Sequence, residues 1–169
     1  KDLVQMVPLP PSKAKTQHLM ELADLLVVTG SSNNVRAGYS SGTPALGVGQ
    51  GNVVTIIDET ADLKQAAAKI SASKTFDNAT SCSSENSVVI LREVYEDAVR
   101  AFEQQGGLLL NKTESDHLVA THWYEGKITS ALLAQDIEVI IENLGLEERG
   151  NNTTKFLMVP TNQAGPEAI

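Results

Sequence analysis

The only cysteine, Cys82, stands among Thr80, Ser81, Ser83 and Ser84. A helix-like run precedes it and a strand-like run comes after it, so the thiol falls at a joint that a substrate can reach. Structural cysteines usually sit among apolar side chains and are inert. Small hydroxylated neighbours suit a thiol that does chemistry, while a buried or incidental cysteine remains the alternative. A free thiol ionises to a few per cent at neutral pH, which already makes it a useful nucleophile. Glu85 lies three residues later. Facing the thiol, its carboxylate would disfavour the thiolate; it reads instead as capping or orienting the next stretch of backbone.

Two glycine-bearing stretches invite a phosphate. Thr29-Gly30-Ser31-Ser32 is a strand end running into a helix start. Free N–H groups and the helix dipole favour an anion there, and an ordinary N-cap is the plainer reading. Gly47-Val48-Gly49-Gln50-Gly51-Asn52 looks like a phosphate loop. Such a loop should open a helix, yet residues 53–57 read as a strand. A tight turn with glycines at positive φ fits better. His117 and His122 are five apart and do not share a helical face, and no cluster suggests a metal. Trp123-Tyr124 reads as packing. Arg36 and Lys74 read as solvated surface.

These residues need elements to hold them. Ser12 is an N-cap candidate for a helix over 13–22, with Ala14, Leu19 and Leu22 on one face. Leu25-Leu26-Val27-Val28 is a short apolar run of the kind buried in parallel sheets. A helix over 31–40 and strands at 45–48 and 53–57 come next. Residues 62–75 form an alanine-rich helix with Leu63, Ala66, Ala67 and Ile70 on one stripe. After Cys82 come a strand at 87–91 and a helix at 94–105. Gly106-Gly107 stops that helix before a strand at 108–110. Helices at 114–122 and 135–143 precede a last strand at 155–159. Residues 2–7 also read as a strand. Alternating strand and helix argue α/β with parallel pairing.

Composition narrows the function. The formal net charge of -8 argues against a nucleic-acid binder and weakens a case for an anionic membrane surface. Hydrophobic residues make up 41%, enough for a packed core, but aromatics only 4%, so that core is Leu, Ile, Val and Ala. One cysteine permits no intrachain disulfide and fits a reducing cytosol. No apolar run approaches the roughly 20 residues of a membrane span, and no signal peptide is visible. The chain starts at Lys1 and stops at Ile169 with no closing element, so both ends read as cut.

The stretch from Ser41-Gly42-Thr43-Pro44 through Gly47-Val48-Gly49-Gln50-Gly51-Asn52 and Asp58-Glu59-Thr60 to Asn78-Ala79-Thr80-Ser81-Cys82-Ser83-Ser84-Glu85-Asn86 resembles the aldehyde dehydrogenase superfamily. Within it the chain is similar to the CoA-acylating branch. Thr29-Gly30 and Ala37-Gly38-Tyr39 fit the same pattern, and several short motifs fall in the same order and spacing.

The resemblance implies parts of two three-layer α/β domains from the middle of a longer chain. Residues 1–80 would be the C-terminal part of a Rossmann-like NAD(P)-binding domain, and 81–169 the start of the catalytic domain. It makes Cys82 the nucleophile that carries a thioester. NAD or NADP would accept hydride, and CoA would be co-substrate. Thr29, Gly30, Ser31, Gly47 and Gly49 would contact the cofactor. Hydrolytic members carry a general-base glutamate at about the place of Gly47, so this site should release its thioester to a better nucleophile. The aldehyde would be sulfoacetaldehyde or succinate semialdehyde. The enzyme would be cytoplasmic and pair its subunits, with neither nucleic acid nor membrane as partner. Two rivals stand: a glutamyl-phosphate-reductase-like enzyme, and a non-catalytic binding or assembly module.

Overall fold

A computed structural model describes residues 3–49, 51, 53–124 and 127–161. Asp2 of the expected first strand, Gln50 and Asn52 of the glycine-rich run and the 166–169 end lie outside them. Two compact units make up the chain, residues 1–51 and 52–169.

The first unit opens with α1 (Lys13–Leu22). Ser12 caps it, its hydroxyl accepting from the Lys15 N–H at 3.2 Å. Residues 3–7 form no strand, contrary to the sequence pattern; Leu3, Val4 and Met6 project into solvent with no partner strand among the described residues. Nor does α1 bury an apolar stripe, since Leu19 and Leu22 are exposed. Next come β1 (Leu26–Thr29), α2 (Ser32–Tyr39) and β2 (Ala45–Val48). β1 and β2 pair in parallel, with Val28 opposite Gly47 and Thr29 opposite Val48. Only Leu26 of β1 is buried, so the run expected to be wholly buried has one covered face. Gly38 lets α2 lie against β1, because a Cβ there would stand 2.7 Å from Val28 Cγ2.

The second unit continues the alternation. β3 (Val53–Ile57) pairs in parallel with β4 (Glu85–Ile90), and α3 (Leu63–Lys74) connects them. α4 (Tyr95–Gln104) comes next, then β5 (Gly107–Leu109) and α5 (Lys112–His122). Trp123 and Tyr124, whose pattern suggests simple packing, form β6 (Trp123–Tyr124) of a small antiparallel pair with β7 (Lys127–Ile128). α6 (Ile137–Leu144) and β8 (Phe156–Met158) complete the order, β8 pairing in parallel with β5. This is the α/β class with parallel pairing that the pattern predicts.

Two apolar clusters hold this unit. Ile57, Ala67, Ile70, Ala101 and Phe102 lie under β3, β4, α3 and α4. Leu110, Leu118, Leu132, Ile141, Leu144 and Leu146 form the other. β8 serves both by strand alternation: Phe156 and Met158 join the first cluster, Leu157 and Val159 the second. Phe156 meets Phe102 edge-on, with ring centroids 6.4 Å apart. Because α3 packs on α4 and β3 on β4, residues 53–80 fold with the C-terminal part of the chain. The contacts within the chain divide it after Gly51.

α5 is secured by a capping box between Asn111 and Glu114. Arg149 reaches Glu114 and also donates to the Leu109 carbonyl at 3.0 Å. Burial pushes the Glu114 carboxyl up, but the Arg149 hydrogen bond, the Asn111 N–H and the guanidinium charge outweigh it. The carboxyl is held below its ordinary value near 4.5. A lowered folded pKa contributes stability that is present above the unfolded value and is lost as pH falls through the folded one. Glu114→Gln should therefore lower Tm at pH 7 and leave it unchanged in acid below that range. A Tm difference that persists unchanged into acid would show that the charge is not what matters.

Candidate active site

α3 and β4 hold Cys82 between two packed elements. Ala67 and Ile70 anchor α3 in the core, and β4 is paired along its length with β3. The thiol is exposed. It occupies a tight turn in which the Ser84 N–H donates to the Ser81 carbonyl at 3.2 Å and the Ser84 hydroxyl donates to the same oxygen at 2.9 Å. Ser84 is buried, so the turn is fastened from beneath while Cys82 faces out. The hydroxyls of Ser81 and Ser83 lie 3.0 Å apart. Among the described residues the Cys82 N–H has no carbonyl partner, which leaves it free to donate to an oxyanion.

The approach to this turn is strained. Asp77, Asn78 and Ala79 all have left-handed backbone, with φ of 50°, 49° and 60°. Asn and Asp visit this region readily, but alanine does so at a cost of roughly 1–2 kcal/mol. Thr80 steadies the turn locally, its hydroxyl donating to the Asp77 carbonyl at 2.7 Å. Asn78 steadies it from a distance, its Nδ2 donating to Asp136 Oδ1 at 2.9 Å. Strained backbone of this kind clusters at functional sites.

Glu85 does not cap the next stretch of backbone, contrary to its spacing. Its Oε2 is buried with no hydrogen-bond partner among the described residues. Lys74 is half-buried rather than solvated, and its Nζ donates to Asn86 Oδ1 at 2.6 Å. Burial pushes the Lys74 ammonium down, and the Glu85 charge pulls it partly back.

In the first unit, Thr29, Gly30 and Ser31 come together where β1 ends and α2 begins. Ser31 is the N-cap, its hydroxyl accepting from the Asn34 N–H at 3.3 Å. Gly30 takes φ of 117°, a conformation that favours glycine. Gly47 lies beside them on β2, opposite Val28, and Gly49 stands just past the strand. All five gather toward the carboxyl end of a parallel pair, the usual place for a ligand in open α/β sheets. Cys82 belongs to the other compact unit.

Gly47 is needed for a reason the sequence does not suggest. It has no positive φ; the constraint is proximity. A Cβ there would stand 2.6 Å from Val35 Cγ1 and 2.8 Å from Tyr39 Cε2. The Tyr39 hydroxyl accepts from the Gly47 N–H at 3.0 Å and faces the Gly47 carbonyl at 3.4 Å. No larger side chain fits this position unless the Val35 and Tyr39 side chains give way. Among the described residues no group of three or more His, Cys, Asp or Glu could hold a metal, and no helix is long and apolar enough to cross a membrane.

No family model matches the chain. A sulfoacetaldehyde dehydrogenase (acylating) of Cupriavidus necator is 52% identical over 146 residues, covering 86% of this chain and 30% of that protein. A succinate-semialdehyde dehydrogenase (acetylating) of Clostridium kluyveri is 34% identical over 99% of this chain and 37% of its own length. Among solved structures, an acetylating aldehyde dehydrogenase from Geobacillus thermoglucosidasius superposes with a TM-score of 0.85 at 34% identity, over 93% of this chain and 35% of that one. The chain thus spans about a third of the length of these relatives. None of them is a glutamyl-phosphate reductase, and that rival falls away. Over the length it shares with them, the chain belongs to the acylating branch of the aldehyde dehydrogenase superfamily.

Proposed function

We propose that this chain is the central part of a CoA-acylating aldehyde dehydrogenase in which Cys82 carries the acyl group. The observation that bears the most weight is the exposed thiol on a fastened turn between α3 and β4, its own N–H without a carbonyl partner among the described residues. The Cys82 thiolate attacks the aldehyde carbon. A C–S bond forms, and the carbonyl oxygen becomes the oxyanion of a thiohemiacetal that the Cys82 N–H stabilises. NAD or NADP, when bound, supplies the acceptor for the hydride that leaves this carbon. A thioester then remains on Cys82. The CoA thiolate attacks it, the bond to Cys82 breaks, and acyl-CoA departs as the enzyme thiolate returns.

The residues of the first unit suit the nucleotide. The first-turn N–H groups of an α-helix lack intrahelical acceptors, and those at the start of α2 come directly after Gly30 and an open strand end. Nothing lies within 4 Å of a Cβ built at Gly49, so backbone there can be approached closely. Thr29, Gly30, Ser31, Gly47 and Gly49 are accordingly assigned to cofactor contact. Residues 1–80 are proposed as the C-terminal part of the cofactor-binding domain and residues 81–169 as the start of the catalytic domain. Sulfoacetaldehyde or succinate semialdehyde is the proposed substrate, in a cytoplasmic enzyme of paired subunits without nucleic-acid or membrane partner.

The test is direct. An enzyme carrying this sequence at its relatives' full length, given aldehyde and NAD(P) without CoA, should yield a Cys82 peptide heavier by the acyl mass. Adding CoA should discharge that peptide and release acyl-CoA. An unmodified Cys82, or acyl found on another side chain, would sink the assignment and leave a binding or assembly role in its place.

A further inference from the structure

The left-handed run before Cys82 is joined to a second unusual loop. Asn78 Nδ2 donates to Asp136 Oδ1 at 2.9 Å and lies 3.4 Å from the Ala134 carbonyl. Ala134 itself has left-handed backbone, with φ of 58°. Asp136 stands at the N-cap of α6, yet its side chain makes no capping bond. An aspartate at that position ordinarily accepts from the first turn of its own helix. Here the carboxylate accepts from Asn78 instead, across 58 residues of chain. Asp136 forgoes its capping bond to make this one. A neutral donor on an ionised acceptor is also among the stronger hydrogen bonds.

We propose that the Asn78–Asp136 bond is a tether that positions the Cys82 turn against the loop at 134–136. Asn78 touches no reacting atom and is a positioning residue. It holds the three left-handed residues in place, and they set where the turn of Ser81 to Ser84 begins. The inference rests on reading Cys82 as the nucleophile, because only then does the placement of this turn matter to function. Both tether side chains are on exposed residues, so exchanging them leaves the core intact.

Exchanging donor and acceptor across the bond tests the idea in an enzyme carrying this sequence at its relatives' full length. Asn78→Asp sets two carboxylates against each other, and close like charges disfavour joint ionisation. The double variant Asn78→Asp/Asp136→Asn restores the bond with donor and acceptor exchanged. Two readouts are monitored at pH 7.5: amide hydrogen exchange over residues 77–84, and the rate at which iodoacetamide alkylates Cys82. Asn78→Asp should speed exchange about tenfold and shift the alkylation rate at least about threefold toward that of a free peptide of sequence 75–86. The double variant should return both to within about twofold of the parent, as expected of coupled residues. A merely structural surface residue does not give the rescue. Parent-like exchange and alkylation in Asn78→Asp would overturn the proposal, as would a double variant that stays at the single variant's values. Neither readout uses aldehyde, CoA or nucleotide. Failure of the acyl-transfer reading therefore shows in the acylated-peptide experiment and not in this one.

Discussion

Cys82→Ala, in an enzyme carrying this sequence at its relatives' full length, should lower aldehyde oxidation by roughly three orders of magnitude or more. The substitution is conservative for the fold. Cys82 is exposed, and the turn that carries it is fastened through Ser81 and Ser84. What is lost is the covalent route. The turn holds no second thiol, and the hydroxyls of Ser81, Ser83 and Ser84 bond to one another or to backbone rather than to a histidine. Circular dichroism and Tm should match the parent while acyl-CoA formation disappears. A tenfold loss is only ~1.4 kcal/mol of barrier. Retention of more than about a tenth of the activity would therefore mean that another group attacks the aldehyde.

The helices are legible because their starts are marked by short polar side chains. Ser12, Ser31 and Asp62 each accept from a backbone N–H three residues on, as N-caps do. The helices begin within one or two residues of where those caps predict. The stripe of Ala67 and Ile70 is buried, as the helical period requires. Exposure is less legible. Leu19, Leu22 and Val27 carry the apolar pattern of core residues yet face solvent. Pattern reports what a side chain suits, not whether a neighbour lies over it.

The functional details are legible in chemistry and illegible in geometry. Cys82 stands out by residue type and company. Its approach does not, because Asp77 and Asn78 are compatible with many turns and Ala79 carries no sign of a left-handed backbone. The tether to Asp136 spans too much chain for any local rule to find. Gly47 is the reverse case. A glycine in such a run suggests positive φ, and here it means close approach of Tyr39 and Val35. The useful signal is Tyr39, eight residues earlier, whose hydroxyl brackets the Gly47 backbone.

That bracket bears on the fate of the thioester. Without CoA, the full-length enzyme should release one equivalent of reduced cofactor per site and then stall. Hydrolysis needs a base to draw a proton from water, and at Gly47 there is none, with the Val35 and Tyr39 side chains crowding the place a glutamate would take. Stopped-flow absorbance of the reduced nicotinamide reads the burst, and its amplitude should equal the concentration of acylated Cys82. Adding CoA should restart turnover at once. Gly47→Glu should not convert the enzyme into a hydrolase. The new side chain must push Val35 and Tyr39 aside, and overpacking of this kind costs about 1–3 kcal/mol. It also removes the room in which Tyr39 meets the Gly47 backbone, so a lower Tm should accompany it. Steady release of free acid by the parent without CoA, at a rate near that with CoA, would show that another base activates water. Glu85, with its buried and unpartnered oxygen, would then be the first residue to replace.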